Sequence, residues 1–400
     1  MIHVVACVVN IGSTSKRYSF LDDQGNQIIF AHLVRAKQCT ALFVVSDGKK
    51  IISYDQSDIS IQDFDDGLSF CLAYISQKKV QVDITRVADV GLRVVAPGTF
   101  FAQHKIIDDD YKKQLKKIQQ SAPHHITPLF DEIRHIKKEF PRARMIAISD
   151  SAFHATMPTK ARLYALEFHD TQLFDIYRFG YHGISVQSVL RKLVENDFLF
   201  SRIIVCHLGG GVSITAVRNG ESVDTSMGFS PTEGIPMETR VGAIDPEALI
   251  YLGKQKKYSY EQLSEYLASR CGLFGVCGTT GSMRELLILE ERGDQGAAQA
   301  IELFVYSIQK YIGAYTVALG GLDAVVFTGA IGEQAPVIRS RICSAFEPLG
   351  MSVNDSKNNA LSGQMGFFHA KDSSICAAIV PTEEMREIAY QMTAFIHKEK

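Results

Sequence analysis

Several features that would place a chain in a specialised class are absent from this 400-residue sequence. No apolar run reaches the ~18 residues that a membrane span needs, so no membrane partner is expected. The formal net charge is only -2, so no global field draws the chain to nucleic acid or a membrane surface. Any anion it binds must be held by a local arrangement. The opening MIHVVACVVN has neither a basic segment nor a small-residue cleavage pattern, and it reads as a strand and not as a signal peptide. The eight cysteines are scattered, and the closest pair, Cys271 and Cys277, fits neither a zinc ribbon nor a CxxC redox site. They read as reduced thiols of a cytoplasmic protein, with Cys7 and Cys206 as small core residues inside apolar strands. Low-complexity linkers are missing too.

What is present is material for two ordinary cores, since 46% of residues are hydrophobic and 22% charged. Apolar patterning predicts strands at 2–9, 16–21, 41–45, 88–95 and 145–149, with helices around 61–78 and 108–120 and an amphipathic stretch at 129–140. A second series has a helix near 183–196, strands at 202–208, 212–217 and 323–328, and helices near 245–252, 260–270, 282–292 and 295–319. The final TEEMREIAYQMTAFIHKEK starts acidic and ends basic, as suits a helix dipole. Strands alternating with helices in both halves indicate two α/β domains, read as 1–152 and 153–384, with the last helix (385–400) packing on the first. Without a linker, the halves are expected to share one cleft.

Two stretches echo each other across about 200 residues: VVNIGSTSKRYSFLDDQG and IVCHLGGGVSITAVRNG. Each is a strand that breaks into a Gly/Ser turn and returns as a strand. Such a turn lets backbone amides and hydroxyls approach an anion. One such hairpin is common in plain β structure. Two, each opening one half of a duplicated chain, read as facing phosphate clamps on one nucleotide. A third glycine-rich element, AVVFTGAIGEQAPVIR, is either a close-packed strand–helix connection or a slot for a base or ribose. DTSMGFSPTEGIPMETRVGAIDP (224–246) is a long polar, Gly- and Pro-rich stretch between a strand and a helix, uncommon unless functional, and it presents Arg240.

NIGSTS, VGLRVV, SDSAFHATMP, YRFGYHGIS, HLGGGVS, DTSMGFSPTEG…TRVGAIDP, VFTGAIGE and PTEE stand in that order. In this ordered set the chain resembles, over essentially its full length, the acetate kinase family of acetate and propionate kinases. These belong to the superfamily of actin, heat-shock ATPases and sugar kinases. The resemblance implies a duplicated actin-like (ribonuclease H-like) α/β fold, two domains around a nucleotide cleft, ATP or ADP with Mg²⁺ (or Mn²⁺), and a homodimer. It further implies Asn10, Ser13, Ser15 and Arg17 at the first phosphate loop, His207, Gly209, Gly210 and Gly211 at the second, and Gly329, Ile331 and Gly332 at the adenosine. Arg93 and Arg240 would embrace the acyl carboxylate and the transferring phosphoryl group, His182 would steady that group, and Val95, His124, Tyr181 and Pro231 would line the acyl site with Arg93. Asp150 and Glu384, with Asn10, would organise the metal.

The implied activity is reversible in-line transfer from ATP to a short-chain carboxylate, acetate first, giving an acyl phosphate. Both reactants are anions, so arginines, a histidine, a metal and turn amides suit the task. A carboxyl group with a pKa of about 4 is already ionised at neutral pH, so no general base is required and Asp150 is assigned to the metal. The alternatives are a propionate- or butyrate-type kinase and a non-catalytic actin-like nucleotide-binding protein. Singly, Glu384 also suits a helix first turn through the dipole, and Asp150 could cap a turn. Departures from the family pattern concentrate at the acyl side: Leu92, Ala96 and Pro97 in GLRVVAPG, and His124-His125 where leucine and histidine are usual. Arg17 replaces a lysine, Gly210 an asparagine, and Val241-Gly242-Ala243 lacks an acid. These changes predict weaker acetate saturation and tolerance of a larger or hydroxylated short acid.

Overall fold

Two compact units divide the chain: residues 1–152 with 384–400, and residues 153–383. The computed structural model describes residues 2–12, 14–35, 38–46, 50–78, 82–119 and 123–399, and of Ile2, Pro123, His124 and His125 the backbone alone.

The first unit is built on strands β1 (Ile2–His3), β2 (Ala6–Ile11), β3 (Ser15–Leu21), β4 (Gln27–Val34), β5 (Cys39–Ser46), β6 (Ile51–Ile59), β7 (Val82–Asp83), β8 (Asp89–Val94), β9 (Lys105–Ile106) and β10 (Arg144–Ser149). Eight of them form one sheet in the order β6-β5-β4-β3-β2-β8-β10-β9. The β2–β3 pair is an antiparallel hairpin, whereas β8 runs parallel to both β2 and β10. β2 is buried along nearly its whole length, while β5 alternates buried and half-buried residues. That contrast is what a central and a more peripheral strand require. Leu68, Cys71 and Ile75 of the helix Gly67–Gln77 and Leu129, Ile133 and Ile136 of the helix Pro123–Glu139 share one core with the sheet. The last helix, Glu384–Lys398, packs on β2, β8 and β10. Gly91 permits that approach, because a Cβ there would lie 3.0 Å from Met392 Sδ.

The second unit has β11 (Arg202–Leu208), β12 (Val212–Arg218), β13 (Glu221–Thr225), β14 (Ala324–Thr328), β15 (Gly366–Phe367) and β16 (Cys376–Ile379), in the order β13-β12-β11-β14-β16-β15. β11–β12 is again an antiparallel hairpin, with β14 parallel to β11 and to β16. The run β13-β12-β11-β14-β16 therefore repeats β4-β3-β2-β8-β10, strand for strand and direction for direction. This is the duplicated actin-like fold. The helix Gln295–Leu319 lies on β11, β12 and β13. Its buried residues Ala297, Ala300, Ile301, Phe304, Val305, Ile308, Ile312, Tyr315 and Leu319 follow the i, i+3, i+4 spacing of one helix face, giving one continuous apolar stripe. Asp294 caps its first turn by accepting from Ala297 N at 2.8 Å.

Some expectations need correction. The predicted helix 61–78 is two helices, Ile61–Asp65 and Gly67–Gln77, joined at Asp66. The predicted strand 2–9 is two, β1 and β2, and β4, β6, β7, β9, β13, β15 and β16 are additional strands. Among the described residues no helix is long and apolar enough to cross a membrane, and all eight cysteines are free.

Candidate active site

In the first unit, the polar residues singled out in the sequence collect at one end of β2, β8 and β10. Asn10 ends the buried part of β2, Arg93 lies in β8, and Asp150 follows β10, where its backbone amide donates to Val94 O at 3.0 Å. Arg93 donates through Nη2 to Asp150 Oδ2 at 2.8 Å and through Nη1 to Asn10 Oδ1 at 3.1 Å. Asn10 in turn donates through Nδ2 to Glu384 Oε2 at 3.0 Å. Arg17 comes within 3.6 Å of the same Glu384 oxygen. Burial works against the charge of Arg93, but Asp150 and then Glu384 more than offset it and hold the guanidinium above its ordinary value. One arginine is thus fixed between the Asp150 carboxylate and the Asn10 carboxamide, which relays it to Glu384, and Asp150 is only 1% exposed.

Asp150, Glu384 and the carboxamide of Asn10 form an all-oxygen donor set, which suits a hard cation such as Mg²⁺. Among the described residues no group of three or more His, Cys, Asp or Glu could hold a metal. Mg²⁺ does not require one, since it is commonly held by one or two carboxylates with water and phosphate oxygens. The residues present fit the ion.

Ser15 Oγ lies 3.0 Å from Nε2 of His32, which stands diagonally across the β3–β4 pair, opposite Arg17. Burial, and next the charge of Arg17, push the His32 imidazole down to about 4, so it is neutral at physiological pH. Val95 is half-buried in the loop after β8. Leu92 and Ala96 belong to the hydrophobic core of the unit. Ser13 and the His124 side chain lie outside the described residues.

In the second unit the β11–β12 turn carries His207 and the three glycines. Gly209 N donates to Gly211 O at 3.0 Å, which closes the turn. A Cβ on Gly211 would lie 2.9 Å from both Cε1 and Nε2 of His182 and 3.8 Å from Arg240 Nη1. His182 and Arg240 therefore converge on this glycine. Nothing comes within 4 Å of a Cβ built on Gly210, so the fold leaves room for the family's usual asparagine. His182 Nδ1 is 3.1 Å from Ser213 Oγ, and His207 Nδ1 is 2.7 Å from Ser185 Oγ. The two imidazoles face each other with centroids 4.2 Å apart. Arg240 Nη1 donates to Pro231 O at 3.3 Å, so the long segment after β13 folds back on itself.

Tyr181 is buried, and its hydroxyl donates to Phe229 O at 2.7 Å, which ties it to the same segment. Gly329 follows β14 at φ +79°, and a Cβ there would strike Leu208 O at 2.7 Å. Only glycine lets β14 turn this close beside β11. Ile331 and Gly332 lie in the helix Gly329–Gln334 that begins at this turn.

This geometry can be set beside known proteins. The profile of the Acetokinase family matches residues 5–390. The chain belongs to the acetokinase family. It is 34% identical to the acetate kinase of Pseudothermotoga lettingae over 390 residues, covering 96% of this chain and 95% of that one. Among solved structures it is similar to a propionate kinase from Francisella tularensis, with TM-score 0.85, 30% identity and coverage of 96% and 97%. The acetate kinase of Porphyromonas gingivalis aligns with TM-score 0.83 and 27% identity, covering 98% and 99%.

Some supporting residues escaped sequence reasoning. His154 is buried, with Nε2 3.0 Å from Tyr181 O and Nδ1 2.9 Å from Ser222 Oγ. Since a carbonyl can only accept, Nε2 carries a proton and donates to it. His154 thereby anchors the peptide that leads into His182, which sits at φ +62°, uncommon for a residue with a side chain. Glu233 accepts from Tyr164 Oη and pairs with Arg178 Nη2 at 2.8 Å, bracing the 226–245 segment. Position in a quoted motif was the only signal for His154 and Glu233.

Proposed function

We propose that this chain is a Mg²⁺-dependent ATP:carboxylate phosphotransferase whose first substrate is acetate, forming acetyl phosphate and ADP reversibly by direct in-line transfer. The observation that carries the reading is the convergence of His182 and Arg240 on Gly211. A glycine turn flanked by an arginine and a histidine suits a phosphoryl group in transfer, whose charge spreads over its oxygens.

In this reading the amides of the 209–211 turn and the hydroxyl of Ser15 bind phosphate oxygens, and Gly329, Ile331 and Gly332 support the adenosine. Asn10, Asp150 and Glu384 would hold the metal, which when bound offsets phosphate charge and orients the phosphates. Arg93 and Arg240 act on the acceptor carboxylate and the moving phosphoryl group. Arg93 Nε is buried without an acceptor, the kind of unmet donor that a bound anion would satisfy after a small rearrangement. Val95 and Pro231 border the acyl group, with Tyr181 supporting them from the interior. No group is needed as a base, because the acceptor reacts as the carboxylate.

The retained pair Arg93 and Arg240 favours a kinase over a non-catalytic nucleotide-binding protein, which has no use for two carboxylate-directed arginines. A longer acyl substrate is the second reading, favoured by the similarity to a propionate kinase. Trapping the acyl phosphate with hydroxylamine over a panel of acetate, propionate, butyrate and a hydroxy acid tests all of these. If no product forms with any of them at saturating ATP and Mg²⁺, the kinase reading fails; otherwise the order of kcat/KM values decides the acyl chain.

A further inference from the structure

Arg339, in the helix Pro336–Ser344, is fully buried and has no carboxylate partner among the described residues. Its donors all go to neutral oxygens. Nε donates to Asn358 Oδ1 at 2.8 Å. Nη1 donates to Gly332 O at 2.9 Å and Glu333 O at 3.1 Å. Nη2 donates to Asn358 O at 2.8 Å and Leu361 O at 3.1 Å. A guanidinium has only these five N–H groups to give. The Phe368 ring lies 5.4 Å from its central carbon. Asn358 is held in place by its own bonds, donating to Pro336 O at 2.9 Å and Ser340 Oγ at 2.8 Å.

An arginine in this position is costly. Burial lowers its affinity for the proton, to a pKa of about 10, though the guanidinium stays charged at neutral pH. An apolar side chain would fill the volume without that penalty. What the cation does supply is a fixed fork at the carbonyl ends of two short helices, Gly329–Gln334 and Asp355–Ala360, where positive charge is favoured.

The first of those helices begins at the Gly329 turn, and the connection to it is short. Arg339 fixes the carbonyl of Glu333. The side chain of Glu333 reaches back, and its Oε1 accepts from Gly329 N at 2.9 Å and from Thr328 Oγ1 at 3.4 Å. A continuous line of hydrogen bonds thus joins the buried guanidinium to the amide at the left-handed glycine.

We propose that Arg339 is a positioning residue for nucleotide binding: acting through Gly332 and Glu333, it sets the geometry of the Gly329 turn that supports the adenosine. The proposal rests on the assignment of Gly329, Ile331 and Gly332 to the adenosine. Arg339 touches no substrate in this scheme, and its loss acts on the nucleotide alone.

The test uses Arg339→Lys, which keeps the charge but loses the fork, and Glu333→Ala, which cuts the line at a half-exposed residue and leaves the buried arginine in place. ATP affinity is measured by calorimetric titration with Mg²⁺, and steady-state constants are measured for both substrates. The expected result in both variants is a rise of roughly ten- to a hundredfold in Kd and KM for ATP, the scale of a misplacement of about 1 Å. KM for the carboxylate, and kcat at saturating ATP, should stay near wild type. A control, Ala330→Trp, adds bulk at an exposed position of the same turn. Unchanged ATP affinity in this control would overturn the adenosine assignment and the proposal with it. A weakened control beside unchanged Glu333→Ala, or equal losses in both KM values and kcat, would overturn the proposal alone. If Arg339→Lys fails to fold, Glu333→Ala decides.

Discussion

Arg93 divides its guanidinium between Asp150 and Asn10, with Nη2 at 2.8 Å from the carboxylate and Nη1 at 3.1 Å from the carboxamide. Removing it therefore has two separable effects. Arg93→Ala strips an almost fully buried carboxylate of its cation, which costs about 3 kcal/mol, the low end for a buried pair because Arg93 is not wholly enclosed. The melting temperature should fall accordingly. Turnover should fall by roughly 10²–10³-fold, as for loss of other electrostatic stabilisers, and the same reduction is expected of Arg240→Ala. Near-wild-type turnover in both variants would remove the arginines from the mechanism.

Asp150→Asn and Glu384→Gln test the metal assignment. Each keeps its shape and loses a charge that a hard cation prefers. Both variants should need more Mg²⁺ for half-maximal rate, and added Mg²⁺ should recover part of the loss. Binding of Mn²⁺ in the presence of ATP, followed by electron paramagnetic resonance, gives a readout independent of turnover. Lost rate with an unaltered metal dependence would contradict the assignment.

Gly211→Ala is the smallest change that should injure the second unit's site. The new methyl would sit 2.9 Å from the His182 ring, closer than carbon atoms tolerate. That ring is held by Ser213 on one side and faces His207 on another, so it cannot simply swing aside. We expect kcat to drop by about 10- to 100-fold with little change in melting temperature. Gly210→Asn, where the space is open, should be tolerated. A wild-type rate in Gly211→Ala would mean that the His182 ring is free to move.

His32 makes stability depend on pH in a definite direction. Burial, then Arg17, hold its folded pKa at about 4, below the unfolded value of about 6.5. Between those values the unfolded chain binds more protons, so stability rises with pH across this window and falls on acidification. Partial exposure of the ring screens the effect, so the contribution is smaller than the full shift implies. Melting curves from pH 4 to 7 should show a shallower slope in His32→Gln than in wild type. Parallel slopes would show that His32 does not titrate in this window.

Much of this arrangement can be read from the sequence where a local signal exists. The β2–β3 and β11–β12 hairpins announce themselves through Gly/Ser turns between alternating apolar runs, and the helix 295–319 through its three-to-four spacing. β6 does not, because IISYDQSDI is an exposed edge strand whose side chains show no buried face. β16 is only four residues long and takes its identity from pairing with β14. Of the site residues, Arg93, Asp150 and Arg240 stand in recognisable motifs. Arg339 and His154 also lie in quoted stretches, but their roles are legible only in three dimensions, since their partners Asn358 and Ser222 are remote or unremarkable in sequence. Their roles arise from what they brace, and bracing leaves no periodicity.

The helix Glu384–Lys398 covers β2, β8 and β10 of the unit that is otherwise formed by residues 1–152. The portion synthesised first is therefore finished last. While the ribosome makes residues 153–383, the earlier sheet waits with an apolar face uncovered and without Glu384 beside Asn10. Exposed apolar sheet faces are what nascent intermediates aggregate through and what chaperones bind. The second unit, drawn from one continuous stretch, has no such delay and can fold while the chain is still being extended. The chain order thus assigns the vulnerable period of biosynthesis to the first unit, and ends it only when the final helix leaves the exit tunnel.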